Sequence, residues 1–119
     1  MNHIYIKSLL SKIKNNKPKV LVLGDVMLDK YIVGDVKRIS PEAPVPILNF
    51  EREKKVLGGA ANVVHNLVNI GAEVSIGTMI GSDLDGELIL NLLKKLNVKT
   101  NYICKNKNMN TTVKTRFLS

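Results

Sequence analysis

The chain of 119 residues has no tryptophan, three tyrosines and two phenylalanines, so any core must be built from aliphatic side chains. Its single cysteine, Cys104, excludes an internal disulfide, and no Cys or His partners lie nearby to complete a zinc site. No apolar run approaches the roughly 20 residues that cross a bilayer. The first nineteen residues are rich in lysine, but their apolar positions are spaced and no small-residue cleavage site follows, which speaks against a secretory leader. These absences set the expectation of a cytoplasmic chain, free of the membrane, forming one domain or a piece of one.

Acidic residues are also scarce, ten against eighteen basic ones, for a net charge of +8. A basic surface attracts polyanions. Here fifteen of the eighteen are lysine, scattered along the chain and not interleaved with the aromatic residues that single-strand binding favours. No nucleic-acid partner is therefore expected. The hydrophobic share, 45%, is that of a globular protein with a packed core.

Ile6, Leu9, Leu10 and Ile13 recur at helical spacing, which predicts an N-terminal helix within residues 1–18, ending before Pro18. Val20 to Leu23 is a short apolar run between Pro18 and Gly24, read as a strand buried on both faces of a parallel sheet, with Asp25 and Asp29 at its C-terminal end. Between residues 31 and 51 short strands surround a proline-bearing turn and form a protruding flap of edge strands.

Gly58-Gly59 opens a helix running to Ile70, with Val63, Val64, Leu67 and Ile70 on the apolar face, and Gly71 stops it. Val74 to Ile80 is a further buried strand. The next helix carries Leu84, Leu88, Leu92 and Leu96 toward the sheet, with Ser82 and Asp85 as a capping box. Tyr102-Ile103 and residues 111–118 read as strands, the last of them interrupted. Alternating strands and helices give an α/β, doubly wound parallel sheet as the fold class, with residues 19–119 as the main body.

A diglycine before a helix lets a ligand approach the backbone where free N–H groups and partial positive charge collect. No dinucleotide fingerprint follows Gly24, and no phosphate-cradling Walker sequence is present. An NAD-binding module is thereby disfavoured, and ATP recognition is not visible. Asp83, Asp85 and Glu87 lack the spacing of a calcium loop. Neither His65, on a polar helix face, nor His3 has a catalytic partner.

The spacing from Gly58 through Asn62 and Gly71 to Gly81 resembles the N-terminal signature of ribokinase-like, phosphofructokinase B type carbohydrate kinases, departing from it at Val64, where a small residue is usual. Two further strings, residues 24–31 and Arg38 to Pro46, resemble the heptose 7-phosphate kinase branch, including the kinase half of bifunctional enzymes with a nucleotidyltransferase domain. With Thr111 to Arg116 the resemblance covers residues 19–119. The Arg38 to Pro46 string argues against an ordinary ribokinase or fructokinase specificity.

The resemblance implies a ribokinase-like fold with a small β lid at about residues 31–51, here truncated after its N-terminal portion. It implies transfer of the ATP γ-phosphoryl group to the anomeric hydroxyl of heptose 7-phosphate, with ATP and Mg²⁺ serving the full-length enzyme and a homodimer pairing through the lid. Asp29 would accept bonds from sugar hydroxyls, Asn62 would hold the sugar, and Gly58 and Gly59 would allow close backbone approach. Arg38, Lys114 and Arg116 are the candidate phosphate ligands. The family's catalytic aspartate, in a Gly-Ala-Gly-Asp type motif, has no counterpart here, so no catalytic residue is assigned and the chain alone is expected to be inactive and to hold no cofactor tightly.

Overall fold

A computed structural model describes residues 2–119; Met1 lies outside the described residues. Helix α1 (His3–Asn16) begins at Asn2, whose side chain accepts from the Ile4 N–H, and ends at a left-handed Lys17. Strand β1 (Lys19–Leu23) follows, then the two longest strands, β2 (Val26–Ile39) and β3 (Pro46–Gly59). Helix α2 (Ala60–Asn69), strand β4 (Glu73–Gly81), helix α3 (Leu84–Lys95), β5 (Lys99–Asn106) and β6 (Val113–Leu118) complete the order.

The strands form two three-stranded sheets. In the order β1-β4-β5 every pair is parallel, as expected where helices make the crossovers. The order β3-β2-β6 is mixed: β2 and β3 form a long antiparallel hairpin, and β6 lies parallel to β2 on its other side. The hairpin thus runs from residue 26 to residue 59 and contains the span 31–51 expected for the lid. Pro41 and Pro44 sit in its turn and Pro46 begins the edge strand β3, where a missing N–H donor costs no ladder bond; β2, which has no proline, is central and not an edge.

The hairpin gives the molecule its shape. The radius of gyration is 18.9 Å, against roughly 13–14 Å for a compact chain of this length. The core lies between the helices and the two sheets and is aliphatic throughout: Val26 and Leu28 from β2, Ala61 and Val64 from α2, Val74, Ile76 and Ile80 from β4, Ile89, Leu90 and Leu93 from α3, with Val98.

Several expected faces differ in detail. Helix α2 buries Ala61 and Val64, with Leu67 and Val68 beside them, while Val63 and Ile70 are exposed; Val64, the departure from the family signature, is fully buried. Helix α3 buries Ile89, Leu90 and Leu93, with Leu88, Leu92 and Leu96 packed beside them, and Leu84 is 88% exposed. Its N-cap is Asp83, accepting from the Gly86 N–H, and not a box of Ser82 with Asp85. Gly71, at φ +101°, does stop α2.

Strand β1 is not buried on both faces. Val20 and Val22 turn inward, but Leu21 is 55% and Leu23 74% exposed. Leu23 pairs with Gly77, and Gly77 with Tyr102, so Leu23, Tyr102 and the neighbouring Met79 form an apolar strip on the face opposite α2 and α3. Asp29 also stands elsewhere than expected: it is the fourth residue of β2, not the tip of β1.

Burial ranks the effect of substitution. Leu28→Ala is expected to cost about 2–5 kcal/mol of stability, and Leu84→Ala to stay within about 0.5 kcal/mol; urea denaturation of both variants checks the contrast.

Candidate functional site: an acidic residue between two cations on the lid sheet

Successive side chains of a strand point to opposite faces. Leu28 points into the core and has no exposed surface, so Met27, Asp29 and Tyr31 point the other way. The register places Gly58, Val56 and Lys54 of β3 beside these three. From the other side β6 brings Lys114 beside Asp29 and Arg116 beside Tyr31. One face of the sheet therefore carries a carboxylate, an aromatic ring and three cations on neighbouring positions, and two of the cations, Lys114 and Arg116, reach the carboxylate.

These groups engage one another. The Lys114 Nζ lies 2.8 Å from Asp29 Oδ1, and an Arg116 Nη lies 3.4 Å from the same oxygen. Arg116 also donates to the Tyr31 hydroxyl at 3.2 Å, with its guanidinium carbon 5.3 Å from the ring centroid. The Asp29 side chain is 14% exposed, against 47% and 43% for its two partners. The carboxylate is the floor of the group and the cations its rim. One negative and two positive charges leave an excess of one positive charge, which suits a ligand that pairs hydroxyl donors with an anionic group.

Gly58 adjoins the carboxylate so closely that a Cβ there would fall 2.5 Å from Asp29 Oδ2. The missing side chain is what allows Asp29 to lie against β3. Gly59, next along, adopts φ +59° at the start of α2, and the Ala60 N–H donates to the Asp25 carbonyl at 2.9 Å. Asp25 thus ties the helix start to the β1–β2 junction.

Asp29, Gly58, Lys114 and Arg116 are brought together; two other candidates are not. Asn62 opens into a cavity of about 360 Å³ walled by Lys55, Val56, Leu57, His65 and the α3 residues Leu92 and Leu96. Asp29 does not line it, and the cavity meets the Asp29 group only at Val56. Arg38 stands nine residues along β2 from Asp29, roughly 30 Å at the rise of a strand, near the hairpin tip. Tyr31 was missed by sequence reasoning, although its spacing of two from Asp29 would have placed it on the same face once the strand was seen to begin at Val26.

The profile of the pfkB family carbohydrate kinases matches residues 17–119. The chain belongs to that family. Among curated relatives, it is 46% identical over 101 residues to the bifunctional protein HldE of Helicobacter pylori strain Shi470, covering 85% of this chain and 22% of that protein. It is 43% identical over 107 residues to the HldE of Sulfurimonas denitrificans, covering 90% and 22%. The chain thus spans about a fifth of the length of these relatives. Among solved structures, a carbohydrate kinase from Agrobacterium tumefaciens superimposes with a TM-score of 0.69 at 24% identity, over 84% of this chain and 31% of that one. This likeness shows a ribokinase-type α/β fold with a parallel sheet, as does the similarity to other sugar kinases.

The glycine and the carboxylate can be tested together. Gly58→Ala is expected to leave the fold standing but to push the Asp29 carboxylate off its place and away from Lys114 and Arg116; side-chain nuclear magnetic resonance of the variant against the native chain measures it.

Proposed function

We propose that this chain is the sugar-phosphate-binding part of a kinase that transfers the ATP γ-phosphoryl group to the anomeric hydroxyl of heptose 7-phosphate, toward nucleotide-activated heptose for lipopolysaccharide. The observation that carries the reading is the juxtaposition of Asp29 with Lys114 and Arg116, the carboxylate lying against Gly58. The HldE relatives, which are bifunctional by name, support the heptose branch in line with the Arg38 to Pro46 string.

In this reading Asp29 accepts bonds from vicinal sugar hydroxyls, and the sugar's own phosphate draws Lys114 and Arg116 away from the carboxylate. The exchange conserves charge pairing: each cation leaves one anion for another while hydroxyl donors replace it at Asp29. Arginine offers the phosphate a bidentate fork and lysine a point charge. Gly58 and Gly59 let the sugar approach the backbone, and Asn62, which lines a separate cavity while the lid is open, joins the sugar when the lid closes. Closure excludes water that would compete for the phosphoryl group.

Arg38 cannot reach a sugar at Asp29 of its own chain across the length of the hairpin. Its proposed place is in the pairing of two lids, where Val36, Pro46, Leu48 and Phe117 line an apolar hollow and Ile39, Val45 and Phe50 are exposed. A homodimer formed through that surface is part of the proposal, as are cytoplasmic residence and the absence of a nucleic-acid partner. No helix among the described residues is long and apolar enough to cross a membrane.

ATP is the phosphoryl donor that the family implies. Among the described residues no group of three or more His, Cys, Asp or Glu could hold a metal ion, and no step is derived through Mg²⁺. Phosphoryl transfer rests on positioning and charge stabilisation, and the acceptor half is what these residues supply. With no Gly-Ala-Gly-Asp type motif in the sequence, the chain alone lacks a base for the acceptor hydroxyl.

Binding and turnover are expected to separate. The chain should bind heptose 7-phosphate and lose that binding in Asp29→Ala, yet show no steady ADP release in a coupled assay with ATP. Steady turnover by the isolated chain, or unchanged affinity in Asp29→Ala, contradicts the reading.

A further inference from the structure

Thr111 is the one buried polar residue among those described, 7% exposed, and it lies two positions before β6. Its hydroxyl donates to Asp83 Oδ1 at 2.6 Å and accepts from the Gly81 N–H at 3.0 Å. Its own N–H donates to Asp83 Oδ2 at 2.8 Å. Asp83 Oδ1 also accepts from the Gly86 N–H at 2.8 Å, which caps α3. The end of β4, the start of α3 and the approach to β6 are therefore tied by one carboxylate and one hydroxyl.

The residue type identifies what the tie is for. Capping a helix takes a single side-chain oxygen, and serine or asparagine does it as well. Only a carboxylate offers two acceptor oxygens and no donor, and here the second oxygen is spent on the Thr111 N–H, outside the helix. The hydrogen bonds from Thr111, its hydroxyl first, together with that from Gly86, hold the Asp83 carboxyl below its usual range. The site is also built to exclude bulk: a Cβ on Gly86 would lie 2.4 Å from the Gly81 carbonyl oxygen and 2.9 Å from the Thr111 hydroxyl.

Strand β6 needs such an anchor. It pairs with β2 alone, and after Val113 every residue of it is exposed, so no buried side chain fixes its register beyond the first position. A slip of one residue would turn a strand's side chains to the opposite face and carry Lys114 and Arg116 away from Asp29.

We propose that Asp83 and Thr111 are positioning residues of the acceptor site, which pin the start of β6 and thereby hold Lys114 and Arg116 opposite Asp29. The inference rests on reading that group as the sugar-phosphate site, and its test has an arm independent of that reading. Arg116 lies over the Tyr31 ring, so its side-chain proton resonances carry a ring-current displacement that reports the register of β6 on β2.

The experiment compares Thr111→Ser, Thr111→Val and Asp83→Asn in the 119-residue chain. Thr111→Ser keeps the hydroxyl and is expected to retain the Arg116 displacement and native affinity for heptose 7-phosphate within about twofold. Thr111→Val and Asp83→Asn should lose the displacement and bind about tenfold more weakly. If Thr111→Val does not fold, Asp83→Asn, which keeps an oxygen for the Gly86 N–H, decides the question. A displacement that survives in either disrupting variant, or that Thr111→Ser loses as fully as Thr111→Val, overturns the proposal. Should the native chain fail to bind heptose 7-phosphate while the Arg116 pattern follows expectation, the substrate reading falls and the positioning role stands.

Discussion

The two-residue period of β2 is the constraint on which the rest of the structure depends. Leu28 is fully buried among Ala61, Val64 and the β4 side chains, and that burial turns Met27, Asp29 and Tyr31 to the other face of the strand. Fully burying a leucine is worth about 1.5–3 kcal/mol, which ties the orientation of the polar face to the stability of the core. Because β2 is flanked by β3 and β6, its register with each decides what meets Asp29: the gap at Gly58 on one side, Lys114 on the other.

The proposed function rests on unequal exposure within one group of charges. Exposed ion pairs contribute little to stability, a few tenths of a kcal/mol to about 1 kcal/mol, so Lys114 and Arg116 are held at Asp29 loosely enough to be exchanged. A sugar phosphate can offer the carboxylate hydroxyl donors and the cations an anion in the same event. Other pairs, such as Lys30 with Glu53 at 2.7 Å, join one carboxylate to cations of comparable exposure. What distinguishes the Asp29 group is the absent side chain at Gly58, together with two cations spaced two residues apart on one strand and therefore on one face.

Much of the fold was legible in the sequence because its signals are local. The helical spacing of Ile6 to Ile13, the glycine after α2 and the apolar run of β4 all marked real elements. The faces were less legible. The apolar run Val20 to Leu23 suggests burial on both sides, yet what covers a strand is decided by distant segments, and here only the α2–α3 side is covered. The four-residue repeat of Leu84 to Leu96 was right in part: Leu88, Leu92 and Leu96 pack against the core beside the fully buried Ile89 and Leu93, while Leu84 is exposed. Of the candidate site, Asp29, Gly58, Lys114 and Arg116 did come together, though from β2 and not from the tip of β1. Asn62 and Arg38 could not be placed by spacing, because their positions depend on how far a long hairpin reaches. Tyr31 and Asp83 were readable only after the strand limits and the helix cap were known.

The central claim is that a sugar phosphate is recognised on the lid-sheet face that carries Asp29. Titration of isotopically labelled chain with heptose 7-phosphate, followed by backbone and side-chain nuclear magnetic resonance, tests it most directly. Saturable shifts centred on Met27 to Tyr31, Gly58 and Lys114 to Arg116 are the predicted result. Shifts confined to the cavity around His65 and Leu92, or none at saturating ligand, contradict it.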